Sequence, residues 1–334
     1  MFISQKIALK DQSSTGEARR VAQHLAQTLG MDEVTSGEAA IIVTEAARNA
    51  VVYGGGGELL LSGTSQPQGK WLDIVALDKG PGIADLSSAM RDGFSTGGTP
   101  GTGLGAIRRL ANICDIYSNS KGTAVFARVG AHGEQQSLLD VAGFAVPIEG
   151  ERVCGDAMDW IETHDRFAVI LADGLGHGPQ AAEAADEAIK IFRAHSSLSP
   201  GAILARVNDA LRKTRGAAAA IAEVRPLSGT ITYCGVGNIT GNVLTAGKLG
   251  RNMVSHNGTL GHIVPRIQEF TSEWPRDGRL IMFSDGLLTR WDLSQFPGLT
   301  TRPAAVIAAV LLRDLRRGRD DSSVFVLQPM EPRS

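Results

Sequence analysis

Cysteine is scarce in this chain: Cys114, Cys154 and Cys234 are the only three among 334 residues. They lie far apart, form no CxxC pair and leave an odd count. That pattern argues against a disulfide framework or a structural zinc site and fits a reducing compartment. A dominant charge is also missing. The formal net charge is −2, so no chain-wide basic field exists to hold nucleic acid or an anionic membrane. Long apolar runs are lacking as well. The longest, Ala304 to Leu312, lies between Arg302 and Arg313 and is too short to span a bilayer. The opening MFISQKIALK has no apolar h-region, so no secretory leader is expected and the expected location is cytoplasmic. Internal repeats and low-complexity tracts are absent.

What remains is an ordinary globular composition, with 43% hydrophobic and 20% charged residues. At this length two domains of about 130 to 200 residues are expected. The polar, aperiodic stretch GAHGEQQSL (130–138) marks the boundary, giving domains over 1–130 and 139–334 and a linker over 131–138. Ala18, Val21, Ala22, Leu25 and Leu29 form one helical stripe within Glu17–Leu29. A second helix is expected from Thr35, with Thr35 and Glu38 at capping-box spacing, to Gly54. Trp71 to Leu77 alternates as a strand and enters the turn Asp78–Gly82, and Thr123 to Val129 reads as the last strand of this half. The second half reads mostly as short strands, with helices near 180–195, 200–214 and 303–316.

Glu45 and Asn49 stand one helical turn apart, on one face of the second helix. An amide oxygen at Asn49 suits Mg²⁺, and Glu45 suits an attacking hydroxyl that must be oriented or deprotonated. Asp78-x-Gly80-x-Gly82 offers a carboxylate beside flexible backbone, fit to grip the exocyclic amine of adenine. Gly101-Thr102-Gly103-Leu104-Gly105 opens a helix whose free N–H groups suit phosphate oxygens. Each piece alone is commonplace; their order is not. It matches the N-box and two G-boxes of the GHKL ATPases, and a Walker P-loop is absent.

The segments TEAARN (44–49), DKGPGI (78–83) and AMRDGFSTGG (89–98) further resemble the RsbT-type switch-protein kinases of bacterial partner switching, over about residues 5–130. The resemblance implies a Bergerat-type α/β sandwich and an ATP–Mg²⁺ site at Glu45, Asn49, Asp78, Gly80, Gly82, Gly101, Thr102, Gly103 and Gly105, with Thr123 closing the adenine pocket. It implies phosphorylation of a serine or threonine on a small STAS-domain protein. A histidine kinase is not expected, because His24 in VAQHLAQ reads as an ordinary helix residue and no dimerising hairpin precedes the domain.

In the second half, Asp156 and Asp173 flank a hairpin whose turn falls at His164-Asp165, which brings both carboxylates to one sheet end. Asp285 ends the strand begun at Leu280, and Asp320 precedes the strand Ser322 to Leu327. Gathered carboxylates repel one another unless cations neutralise them, and hard oxygen donors suit Mg²⁺ or Mn²⁺. A pair of such ions suits phosphoester hydrolysis.

CGD (154–156), ADGLGHG (172–178), FSDG (283–286) and RDDSSV (319–324) resemble the SpoIIE/RsbX branch of the PPM-type phosphatases, over about 139–328. The resemblance implies a PPM-type α-β-β-α sandwich, a bridging Asp173, a carbonyl ligand at Gly174, and metal ligation by Asp285, Asp320 and, directly or through water, Asp156. Asp321 occupies the position after the metal aspartate and is given no ligand role, and His177 is read as a loop residue rather than a proton donor. His262 receives no role, and Arg313, Arg316, Arg317 and Arg319 read as a solvated helix face rather than a docking patch.

The chain is thus read as an α+β, two-domain regulator in which kinase and phosphatase oppose each other. The implied partners are a STAS-domain anti-sigma antagonist or stressosome-type protein, and a downstream switch regulator or sigma factor. Two other readings share these residues: an anti-sigma-type binding protein, and a phosphatase governed by a nucleotide-sensing domain without kinase activity.

Overall fold

The computed structural model describes residues 2–86, 103–135, 137–245, 248–264 and 266–330. The chain divides into two compact units, Met1–Gln136 with Asp292–Arg313, and Ser137–Trp291 with Asp314–Ser334.

In the first unit, β1 (Phe2–Leu9), β2 (Gly57–Gln66), β3 (Gly69–Asp78), β4 (Ile113–Asn119) and β5 (Gly122–His132) form one antiparallel sheet of order β1-β2-β3-β5-β4. Helices α1 (Gln12–Thr28), α2 (Glu33–Gly54) and α3 (Gly103–Leu110) complete the described elements. The core joins Ala18, Ala22 and Leu25 of α1 and Ala39, Val43, Ala46, Ala47 and Ala50 of α2 to Leu59, Leu61, Leu72, Ile74 and Ala76 of the sheet. The alanine-rich faces let helix backbones approach the strands closely, while Leu and Ile fill the intervening volume.

Two helix starts differ from expectation. Helix α1 begins at Gln12, where Asp11 and Ser14 form a reciprocal capping box. Helix α2 begins at Glu33, because the Asp32 carboxylate accepts from Thr35 N at 2.7 Å. Thr35 is therefore the capped residue and not the cap. The stretch expected as linker is also partly strand. Strand β5 runs on to His132, paired with Gly69, and the His132 ring meets Trp71 edge-on at 4.7 Å. The apolar face of Trp71 offsets the polar composition that suggested a linker.

In the second unit two five-stranded antiparallel sheets stack. One has the order β13 (Phe270–Glu273), β10 (Thr230–Val236), β9 (Ala217–Arg225), β8 (Phe167–Gly174), β7 (Asp156–Glu162). The other runs β12 (Lys248–Asn252), β11 (Thr240–Thr245), β14 (Arg279–Phe283), β15 (Ser322–Pro329), β6 (Leu139–Val146). Alternation along β8 sends Ala168, Ile170 and Ala172 toward helices α4 (Pro179–Ala194) and α5 (Pro200–Ala210). Phe167 points the other way and stacks on Phe325 of the second sheet at 6.1 Å between centroids. Trp160 joins it at 5.7 Å.

The last helix, α6 (Ala304–Leu315), has Ala304 to Leu312 wholly buried. The segment 292–313, expected within the second domain, groups with the first unit. There Arg302 pairs with Asp115 at 2.9 Å and Lys121 lies over the Phe296 ring. Arg313, expected on a solvated face, is 5% exposed. Only Arg317 and Arg319 of that run are exposed, because the helix stops at Leu315. No helix among the described residues is long and apolar enough to cross a membrane.

Candidate nucleotide and metal sites

Helix α2 carries Glu45 and Asn49 on one half-buried face, and α3 begins against them. A Cβ built on Gly103 would lie 2.8 Å from Glu45 Oε2 and 3.5–3.6 Å from the Asn49 amide atoms. The second glycine motif thus passes close to the Glu45 and Asn49 side chains. Gly105 is buried within α3, whereas Gly101, Thr102 and the stretch 89–98 lie outside the described residues.

Asp78 ends β3, and its Oδ1 accepts from Gly80 N at 2.9 Å and Thr123 N at 3.1 Å. Thr123 Oγ1 meets Ser118 Oγ at 3.0 Å, and Ser118 Oγ accepts from Ile83 N at 2.8 Å. The turn Asp78–Ile83 and the start of β5 are knitted into one rigid corner. Gly82 has φ +79°, and a Cβ there would meet Asn119 O at 2.2 Å, so only glycine fits. Burial pushes the Asp78 carboxyl above its usual range, opposed by the Gly80 and Thr123 N–H groups and the Arg313 guanidinium.

In the second unit Asp156 and Asp173 are direct register partners across the β7–β8 ladder. Like charges placed directly opposite are unfavourable. Asp285 follows β14 and Asp320 precedes β15, strands that pair antiparallel with Phe283 opposite Val324, so both loops emerge at one end. Ser284 joins the two sheets there: its hydroxyl donates to Asp156 Oδ2 at 2.6 Å and accepts from Ser323 N at 3.0 Å. Burial pushes the Asp173 carboxyl well up, and the charges of Asp156, Asp285, Asp320 and Asp321 push it further. Asp156 is raised mainly by burial, with Ser284 opposing. Asp320 is raised by burial first, and His177 opposes the shift.

The donor chemistry fits hard divalent cations. Asp156 Oδ1 is buried without a hydrogen-bond partner, and no Lys or Arg figures among the charges acting on Asp173. The ligand set is not closed, however: among the described residues no three His, Cys, Asp or Glu side chains already converge on one ion position. Asp285 Oδ2 is instead taken by Asn238 Nδ2 at 2.5 Å. Gly174 stands where a Cβ would meet Ala181 O at 2.0 Å, so only glycine fits at this strand end, and its N–H donates to Gly155 O at 3.0 Å.

Three residues of this site were not read from the sequence as parts of it. Asp321, 2% exposed, accepts from Ile148 N and Gly155 N, both at 2.7 Å, and so holds the loop before Asp156. Ser284 and Asn238 bind aspartates from the other sheet or from another turn, so no local pattern announces them. His177 pairs with Glu151 at 2.9 Å. Ser284→Ala leaves both Asp156 Oδ2 and Ser323 N unmatched, and is expected to cost about 1–3 kcal/mol. Urea denaturation of the metal-free protein measures this; an unchanged midpoint would contradict it.

Residues 163–329 match the family model "Stage II sporulation protein E (SpoIIE)", and residues 8–129 match "Histidine kinase-like ATPase domain". The serine/threonine-protein kinase RsbT of Bacillus subtilis (strain 168) is 38% identical over 111 residues, covering 33% of this chain and 84% of the relative. The phosphoserine phosphatase RsbX of the same organism is 26% identical over 154 residues, 46% of this chain and 77% of the relative. A solved chain from the bacterial stressosome, described as a modular system adapted to control secondary messenger signaling, superposes with TM-score 0.54 at 27% identity. It covers 57% of this chain and 100% of that one.

Proposed function

From a chain that belongs to the SpoIIE family over residues 163–329 and to the RsbT kinase family over its N-terminal part, we infer a bifunctional partner-switching regulator. The first unit phosphorylates a serine or threonine of a STAS-domain antagonist with ATP; the second removes phosphate from phosphoserine or phosphothreonine protein. The substrate is a STAS-domain protein of the stressosome type, and the setting is cytoplasmic.

In the kinase half, Glu45 holds and accepts the proton of the acceptor hydroxyl, and Asn49 supplies an oxygen to the magnesium of ATP. Asp78 grips the adenine amine, oriented by Gly80 N and Thr123 N, while Gly80, Gly82, Gly101, Thr102, Gly103 and Gly105 let backbone approach the nucleotide. In the phosphatase half, Asp156, Asp173, Gly174 O, Asp285 and Asp320 would hold a pair of Mg²⁺ or Mn²⁺ ions. When bound, the ions supply charge neutralisation and an acidified water for attack on phosphorus. Ser284 fixes Asp156, and Asn238 orients Asp285 until the ligand set closes.

The observation that carries this reading is the pairing of Asp156 with Asp173 at a sheet end where Asp285, Asp320 and Asp321 also bear on Asp173. One polypeptide also holds the two activities at a fixed ratio and a high local concentration. The test is a STAS-domain protein incubated with the full chain and labelled ATP, then chased with excess unlabelled ATP and Mn²⁺. Label is expected to enter the STAS protein and then leave it. Entry without loss would sink the phosphatase half; no entry, with intact dephosphorylation of a pre-phosphorylated STAS protein, would sink the kinase half.

A further inference from the structure

The mouth of the carboxylate cluster presents an electrostatic problem. The charges that bear most on Asp173 are those of four aspartates, yet a phosphomonoester arrives with a charge of about −2. Resident cations address the centre of the site. A substrate phosphate also needs a positive group at the rim, one that no protein carboxylate has already taken.

Arg215 meets that requirement. It is exposed, and among the described residues no carboxylate lies within ion-pair distance of it. The neighbouring Arg212, by contrast, is engaged with Asp209 at 2.9 Å. The His177 ring, also near the cluster, is turned toward Glu151. The Arg215 guanidinium lies along Gly176, in the loop that follows Asp173 and Gly174: a Cβ at Gly176 would come 3.2 Å from its Nη1. On its other side the Gly176 carbonyl borders Gly155, the residue before Asp156. The guanidinium therefore lies beside the loop that follows Asp173, and that loop in turn borders the residue before Asp156.

The backbone beneath it is pinned while the side chain is left free. His262 Nε2 donates to Arg215 O at 2.9 Å, Gly216 N donates to Thr214 Oγ1 at 3.0 Å, and Leu175 N donates to Gly216 O at 2.9 Å. Gly216, at φ +80°, admits the close passage of Leu260 O, which a Cβ would meet at 2.5 Å. The same joined loops expose two apolar side chains, Leu175 at 55% and Ile263 at 76%. An arginine fork on a pinned backbone, with exposed aliphatic groups on the same joined loops, suits a phosphate attached to a polypeptide better than a small polar phosphate ester.

We infer that Arg215 determines substrate specificity at the phosphatase site, its guanidinium receiving the phosphate of a phosphoserine or phosphothreonine segment laid across Leu175 and Ile263. The inference rests on the phosphatase reading above and names the group that reads its substrate. It also gives His262 a positioning part, since its ring holds the Arg215 carbonyl.

The test uses the full chain with Mn²⁺ and three probes: a phosphoserine peptide with flanking apolar residues, p-nitrophenyl phosphate, and inorganic phosphate as inhibitor. For Arg215→Gln, the peptide KM and the phosphate inhibition constant are expected to rise about 10- to 100-fold, as for a lost charge-assisted hydrogen bond. The peptide kcat is expected to stay within about threefold and the Mn²⁺-induced rise in Tm to persist, with Arg215→Lys recovering part of the loss. The double variant Leu175→Ser with Ile263→Ser is expected to raise KM for the peptide and leave phosphate inhibition as in wild type. Unchanged KM and phosphate inhibition in Arg215→Gln would overturn the assignment, as would loss of the Mn²⁺ response, which would mark a structural role. A wild-type chain inactive on every probe would instead remove the phosphatase reading itself.

Discussion

Asp173→Asn is expected to abolish metal-dependent dephosphorylation while making the metal-free protein more stable than wild type near neutral pH. The two effects share one cause. Asp173 is opposed in register by Asp156 and feels three further aspartates, so its ionised form is unfavourable in the folded protein. A folded-state carboxyl raised above its unfolded value of about 3.9 keeps its proton where the unfolded chain has lost it. Between those two values the folded state binds more protons, so stability falls as pH rises. Metal-free wild type is therefore expected to lose Tm steadily from pH 5 upward through neutrality, and Asp173→Asn to flatten that slope. With about 2–4 °C per kcal/mol for a domain of this size, the difference at pH 7.5 is readable by calorimetry.

Mn²⁺ is expected to raise the Tm of wild type strongly at pH 7.5 and weakly at pH 5, where protons compete for the same oxygens. Asp173→Asn should show little of that rise and a fall in phosphatase rate of at least about 10³-fold, consistent with loss of a bridging metal ligand. A variant less stable than wild type at pH 7.5 without metal would contradict the electrostatic account. A variant that kept full Mn²⁺-dependent activity would remove Asp173 from the ligand set.

Glu45→Gln is expected to lower phosphoryl transfer to the STAS substrate by about 10²- to 10⁴-fold, the usual range for a lost general base. Glutamine keeps the size of the side chain, so the backbone at Gly103, where an added Cβ would come 2.8 Å from Glu45 Oε2, need not move. On the proposed assignment Glu45 serves the acceptor hydroxyl, so ATP affinity should change by less than about threefold. Asn49→Ala, one turn away on the same helix, should do the reverse and weaken Mg²⁺-dependent ATP binding. Calorimetric titration with ATP, with and without Mg²⁺, separates the two variants. Full transfer by Glu45→Gln, or ATP affinity in Asn49→Ala that is indifferent to its substitution, would sink the assignment. Phosphatase activity is expected to persist in both.

Local pattern carried much of this architecture. The 3.6-residue stripe from Ala18 to Leu29 and the strand alternation at Leu72, Ile74 and Ala76 name residues that lie in one core. The hairpin midpoint argument put Asp156 and Asp173 at one sheet end, and the ladder makes them direct register partners. Helix starts were less legible. Asp11 and Asp32 precede the apolar stripes by several residues, and exposed first turns such as Gln12–Glu17 carry no hydrophobic signal. Gly130–His132 read as linker because one polar strand edge resembles a loop until its partner, Gly69–Trp71, is known.

The sequence by itself determined which residue types were available to hold a nucleotide and divalent ions, since glycine at Gly82 and Gly103 and aspartate at strand ends leave a mark at short range. Tertiary structure alone decided which groups tune them. Ser284 reaches Asp156 from the other sheet, Asp321 ties down Ile148 and Gly155, Asn238 takes Asp285, and Arg215 comes to rest along Gly176. Those contacts join residues far apart along the chain. Hydrogen-bond geometry and charge act through space at a few ångströms, whereas sequence periodicity reports only what lies within a turn or a strand.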